Sequence, residues 1–227
     1  MTRVQIPETV VEGKRLGRHI NHDPRSRNFA ATTSNKLVSV RHQSIGLPLN
    51  QGDIGSCTAN ALVGFLNTKP NVPAHGPWTE KGAVRLYGRE TADEGQPYPP
   101  NDPGGSGLAV CKAAVELGMI SSYRHAFSLE DALSALVDGS VITGVNWYQN
   151  FDTPSAGPKG YGSLISIAGS VRGGHEFLVD EIDVEDKLVG CMNSWGPTFG
   201  LGGRFYMTWD TWGTLLAQQG DVTIPVK

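Results

Sequence analysis

Residues 49–61 read LNQGDIGSCTANA, and they set a cysteine where a glycine-bearing loop turns into a helix. Beyond Cys57, Ala59, Leu62, Val63 and Leu66 recur at helical spacing, so a buried helix is expected from Cys57 to about Asn67, with Ser56 as its N-cap. The setting matters because a thiol attacks only as thiolate, and a free cysteine of pKa about 8.5 is mostly protonated at neutral pH. The partial positive charge of a helix N-terminus lowers that pKa, and a neighbouring imidazolium lowers it further. A structural cysteine needs no such position, so the rest of the chain must supply the partners.

Working outward, EKGAVRLYGR (80–89) reads as a second helix and QPYPPNDPGG (96–105) as a proline-rich loop. Ser106 caps a third helix, GLAVCKAAVEL, which Gly118 ends, and Ser128 with Asp131 resembles a capping box before ALSALV. From Ser140 onward the pattern turns to strands: SVITGVNWY, SLISI (163–167), EFLVDEI, KLVGCMNSW, GRFYMTWD and VTIPV. Helices in the first half and strands in the second argue for an α+β fold of two lobes with a cleft between them.

Of six histidines, only His175 is expected to open a strong strand, in VRGGHEFLVDEI, after two glycines that let another backbone approach. Alone it would more often be structural. Asn193, in CMNSWGPTFGLGG just past the next strand, carries a carbonyl able to fix the tautomer of an imidazole, and Trp195 can shield that bond from water. Gln51, six residues before Cys57, offers an amide donor of the kind an oxyanion needs, together with the backbone N–H of Cys57. A lone glutamine or asparagine in a loop means little; the four together form a nucleophile, a base, an orienting group and an anion donor.

The chain has 227 residues, 39% hydrophobic and 18% charged, with 29 glycines and 14 prolines, which is the composition of a soluble globular protein. No apolar run is long enough to span a bilayer, and the N-terminus lacks a signal-peptide core, so neither a membrane partner nor export is expected. Three cysteines do not make a disulfide framework, which points to a reducing, cytoplasmic setting. Residues 1–41 carry eight lysines or arginines against three acids, on a body with an acidic excess. Nucleic-acid binding by this arm is the lesser expectation; packing against its own acidic body is the greater one. His19, His22 and Asp23 in one loop are too thin a signal for a metal site, and no metal or cofactor is expected.

The segments QGDIGSCTA, GGHEFLV and NSWGPTFGLGGRFY resemble, in order, the three signature blocks of the papain-like cysteine peptidases. His175 and Asn193 lie 118 and 136 residues after Cys57, at or somewhat under the roughly 130–150 usual in that family. The resemblance runs from about Val40 to Tyr206 and includes DPGGSGLAVCKAAVELGMI, similar to the loop and helix that line the family's substrate cleft. It implies a papain-like two-lobed α+β fold with a helical N-terminal lobe and an antiparallel β C-terminal lobe. It implies Cys57 as nucleophile, His175 as acid and base, Asn193 as orienting residue and Gln51 as oxyanion donor. Gly104, Gly105, Gly174 and Trp195 would line the path of an extended peptide or protein substrate. The expected activity is peptide-bond hydrolysis by a monomer. Acyl transfer to an amine, as in transamidation, and peptide binding without turnover are the alternatives. Small members without signal peptides occur in bacteria and their viruses, so a virus-encoded protein is within the expectation.

Several positions depart from the family pattern. Ile54 replaces a half-cystine, Thr58 an aromatic residue, and Phe199 a second tryptophan, while Glu176 stands where a small residue is commoner. On a strand Glu176 points away from His175 and is expected to be solvated. Cys111, within an apolar helix, and Cys191, sharing a strand face with Val189, read as buried small hydrophobes. The chain divides into a basic arm (1–34), either a permanent strap or a shortened pro-segment, and a catalytic domain (35–227).

Overall fold

A computed structural model describes residues 3–31, 35–157 and 161–227. Helix α1, Cys57–Leu66, buries nine of its ten residues because alanine, leucine, valine and phenylalanine leave it no polar face. It packs with α2 (Glu80–Asp93) and α3 (Gly107–Glu116) around Leu62, Leu66, Leu86, Val110 and Ala114. Ser106 caps α3 by accepting the Ala109 N–H at 3.2 Å, and Ser128 caps α4 (Leu129–Asp138) by accepting the Asp131 N–H at 3.0 Å. Ser56 differs from expectation. It occupies the N-cap position of α1 without a side-chain capping bond, and its Oγ instead accepts Asn60 Nδ2 at 3.0 Å.

The second lobe is a seven-stranded antiparallel sheet. Along it run β4 (Ser122–Ala126), β9 (Asp221–Val226), β5 (Val141–Tyr148), β6 (Val171–Asp183), β7 (Leu188–Met192) and β8 (Arg204–Thr208), with β3 (Val40–Arg41) paired to β6. One face packs Trp147, Phe177, Phe205 and Val179 against α4 and α5 (Trp209–Ala217), forming a core separate from the helical one. From the other face Ile142 and Leu178 enter the helical core, so β5 and β6 are shared by both lobes. Residues on the two faces of β6 therefore meet different neighbours.

Some boundaries differ from the sequence reading. His175 is the fifth residue of β6, because Val171 to Gly174 already pair with β5. SLISI forms only isolated bridges through Leu164, to Ser155 and Tyr206. The strand ending in GRFYMTWD stops at Thr208, whose hydroxyl caps α5 by accepting the Thr211 N–H. Among the described residues, no helix is long and apolar enough to cross a membrane.

The described part of the basic arm, residues 3–31, packs against the body. Its β1 (Val4–Gln5) pairs with β2 (His19–Ile20), and Leu16, Arg18 and His19 are buried. Arg3 meets Glu94 and Arg18 meets Asp221, while Glu8 of the arm lies 3.8 Å from Arg172 of the body.

Candidate active site

The loop before α1 is held by the sheet lobe. Gln51 N–H donates to the Ser194 carbonyl at 2.8 Å, and Gly196 N–H donates to the Leu49 carbonyl at 2.8 Å. Asp102 then fixes the bend before the thiol, accepting the Gly55 N–H at 3.0 Å and the Tyr87 hydroxyl at 2.6 Å. Cys57 is thus delivered as the first residue of α1, where the leading N–H groups of a helix have no partner within it.

His175 and Asn193 arrive from β6 and from the end of β7. The imidazole Nε2 lies 2.7 Å from Asn193 Oδ1. With the proton on Nε2, as an amide oxygen requires, Nδ1 is left as the acceptor, and Nδ1 has no protein partner. Trp195 stacks on the ring at 5.0 Å and Trp147 meets it edge-on at 4.8 Å, so water is shut out of the His175–Asn193 bond. Ser194, the next residue along, donates its hydroxyl to Gln51 Oε1 at 2.6 Å. Gln51 Nε2 in turn donates to the Ile54 carbonyl at 2.8 Å. Cys57 joins the group from the other lobe by taking the backbone N–H of Glu176, the residue after His175. All four residues singled out in the sequence converge on one junction between the lobes.

The electrostatics run against a charged pair in this state. Cys57 is fully buried, and burial pushes its thiol well up, with the Glu176 N–H as the opposing influence. Burial also drives His175 down to about 3, Asn193 pulling it up and the Arg172 cation pressing it down. Both groups are therefore neutral near pH 7, where the sequence led to a thiolate and an imidazolium. Desolvation disfavours each charged form.

Leu16 and Gly17 lie on Gly55, two residues before Cys57. The Gly174 carbonyl accepts N–H groups from Gly17 at 3.1 Å and Arg18 at 2.9 Å. Gly105 donates to the Gly17 carbonyl at 2.8 Å and accepts the His19 N–H at 2.7 Å. The backbones of Gly105 and Gly174, expected to hold a peptide, hold the arm. Gly104 spends its N–H on the Tyr87 hydroxyl and its carbonyl on Arg3; its missing side chain admits Gly17, whose carbonyl would lie 2.1 Å from a Cβ there. Trp195 covers His175 and donates Nε1 to the Arg15 carbonyl of the arm at 3.1 Å.

Glu176 is the clearest correction. It faces away from His175, yet it is fully buried rather than solvated, because that face of β6 meets the arm and α3. Three contributors escaped the sequence reading. Ser194 and Trp147 read only as parts of strands. Arg172 is buried, donates to the Thr9 and Lys14 carbonyls, and lies over the Trp195 ring at 5.5 Å. Of the thin metal signal, His19 Nε2 lies against the Pro103 carbonyl and Asp23 pairs with Arg25.

No family model and no curated protein matches the chain by sequence. Solved structures match it by shape. Xylellain, a cysteine protease from Xylella fastidiosa, is 19% identical with a TM-score of 0.72, covering 96% of this chain and 99% of that one. Digestive procathepsin L 3 from the larval midgut of Tenebrio molitor is 13% identical with a TM-score of 0.62, over 95% of this chain and 76% of that one. The proform of Amb a 11, a ragweed pollen cysteine protease, is 13% identical with a TM-score of 0.63, over 86% and 67%. The fold is that of the papain-like cysteine proteases.

Proposed function

We propose that this chain, having the papain-like fold, is a cysteine peptidase whose described state is closed by its own arm. In the open cleft His175 Nδ1 takes the Cys57 proton and the thiolate attacks a peptide carbonyl. The backbone N–H of Cys57 and the Gln51 amide hold the resulting oxyanion. The imidazolium then protonates the leaving amine, the C–N bond breaks, and a thioester on Cys57 remains. Water, giving a proton to His175, attacks that thioester and returns free thiol and a carboxylic acid. Asn193 keeps the ring in the tautomer this needs, and Trp195 keeps water from that bond.

The observation that carries the reading is the chain of contacts from His175 Nε2 through Asn193 Oδ1 and Ser194 to Gln51, with Cys57 against the next peptide of β6. Folding alone requires no such set of polar groups. Because the arm uses the Gly105 and Gly174 backbones, turnover requires its displacement. An inhibitory pro-segment thus fits better than a permanent strap.

The test is cleavage of a denatured protein by full-length enzyme with a loosened arm, such as Gly17→Ala. Cys57→Ser should abolish cleavage, and Asn193→Ala should reduce it. Joined rather than hydrolysed peptides would instead indicate acyl transfer. No product, with Cys57 no more reactive than Cys111, would leave peptide binding as the function.

A further inference from the structure

Arg18 is fully buried, although it belongs to a polar arm. A guanidinium is removed from water only where acceptors and counter-charges await it. Its Nη2 donates to the Gln219 carbonyl at 2.7 Å and to the Asp221 carboxylate. The room around it comes from two glycines. A Cβ on Gly144 would lie 2.6 Å from Arg18 Nε, 2.4 Å from Glu176 Oε2 and 3.0 Å from Asp221 Oδ2. One on Gly107 would lie 2.8 Å from Glu176 Oε1 and 3.0 Å from Asp221 Oδ1. The pocket is thus walled by absent side chains and lined by two carboxyl groups.

Those carboxyl groups exceed what the arm uses. Asp221 is engaged by Arg18, but Glu176 is fully buried with neither oxygen partnered, and Arg18 Nε and Nη1 also lack protein partners. A pocket built only to seat a strap would be more stable with an apolar residue at 176, since an unpaired buried carboxyl is costly. Burial first, and then Asp221, hold the Glu176 carboxyl well above the usual carboxylate range, with Arg18 opposing them.

The position is also informative. Arg18 lies opposite Gly105, and the adjoining Gly17 lies on Gly55 beside the thiol. A peptide held by the same Gly105 and Gly174 backbones would bring a side chain to the seat that Arg18 now fills.

We infer that this pocket is a specificity subsite for an arginine or lysine side chain of the substrate, read by Asp221 and Glu176, and that Arg18 occupies it in the closed state. The inference rests on the peptidase reading above and names the substrate class for it.

The test uses the full-length Gly17→Ala/Arg18→Gln variant, whose arm has lost both its fit and its anchor. Peptide amides carry arginine, lysine, citrulline or leucine in turn at each position flanking one scissile bond. Citrulline keeps the shape of arginine without its charge. Two quantities are read: cleavage, and protection of Cys57 from iodoacetamide by the same peptides. At one position arginine should exceed citrulline by about 100-fold in both readouts, as loss of a desolvated charge pair implies. Lysine should fall between them, and Asp221→Asn should shrink the ratio at least about tenfold. Cleavage with no preference for arginine over citrulline overturns the subsite and leaves the peptidase. Protection by arginine peptides without any cleavage keeps the subsite and overturns the peptidase. Neither protection nor cleavage overturns both.

Discussion

Replacing Gly17 by alanine should unseat the arm and uncover Cys57. Gly17 has φ of +152°, a region almost restricted to glycine, and a Cβ there would lie 2.2 Å from the Gly55 carbonyl oxygen and 2.8 Å from its carbon. These are backbone atoms of a bend tied to Asp102, so the arm must be what moves, by about 1 Å, to restore ordinary van der Waals contact. Four backbone hydrogen bonds of 2.7–3.1 Å fasten this stretch to Gly105 and Gly174. At about 0.5–1.5 kcal/mol each, losing most of them weakens docking by about 2–4 kcal/mol. When alkylation proceeds through a pre-equilibrium opening, that is an increase of about 30- to 700-fold in the rate at Cys57. The assay is limiting iodoacetamide on the folded protein, with modification followed site by site in peptide mass spectra. Cys111 and Cys191 are equally buried and report any global unfolding. Gly139→Ala, where a Cβ meets nothing within 4 Å, should leave the rate unchanged. If Gly17→Ala folds normally and Cys57 reacts at the wild-type rate, the arm is not what shields the thiol.

Acidification should loosen the arm. His19 is held down to about 4, by burial first and then by Arg3, and His175 to about 3, so the docked state resists protonation that a solvated imidazole accepts near pH 6.5. Docking is strongest above about pH 6.5 and weakens as pH falls toward 4, by up to about 1.4 kcal/mol per unit for each histidine that becomes solvated on release. A fluorophore on the arm read by anisotropy would detect this, and a flat profile from pH 7 to 4.5 would refute it. Glu90 has the opposite sign: burial raises it to about 8, so its contribution to stability is greatest below about pH 4.5 and declines as pH rises to 8. Comparing urea midpoints of wild type and Glu90→Gln should show wild type losing relative stability at up to about 1.4 kcal/mol per unit across that window. Arg204 donates to both oxygens of buried Asp180 at 2.8 Å and to Glu181 at 2.8 Å. Arg204→Ala should destabilise the sheet lobe by about 3–5 kcal/mol in urea unfolding, because it strands the buried Asp180 carboxylate.

The sequence by itself determined the elements whose cause is local. Periodic apolar residues after Cys57 specify α1, serine at Ser106 and Ser128 specifies two caps, and alternating runs specify β5 to β9. It also determined which polar residues were worth suspecting, since Gln51, Cys57, His175 and Asn193 are the types one chemistry needs. α5 was hidden because Thr208 ends one element and begins the next, so the strand pattern runs into the helix without a break. Only tertiary structure decided the rest. Glu176 alternates with His175 as any strand residue would, and nothing local says that its face is closed by Gly107, Gly144 and Arg18. The arm carries no strong period, since its conformation is set by bonds to Gly105, Gly174 and Arg172, more than 80 residues away. The protonation states followed from that placement. A helix N-terminus and a histidine predict an activated thiol, but burial in the assembled cleft removes the water on which either charge depends, and desolvation belongs to that assembly rather than to any one residue.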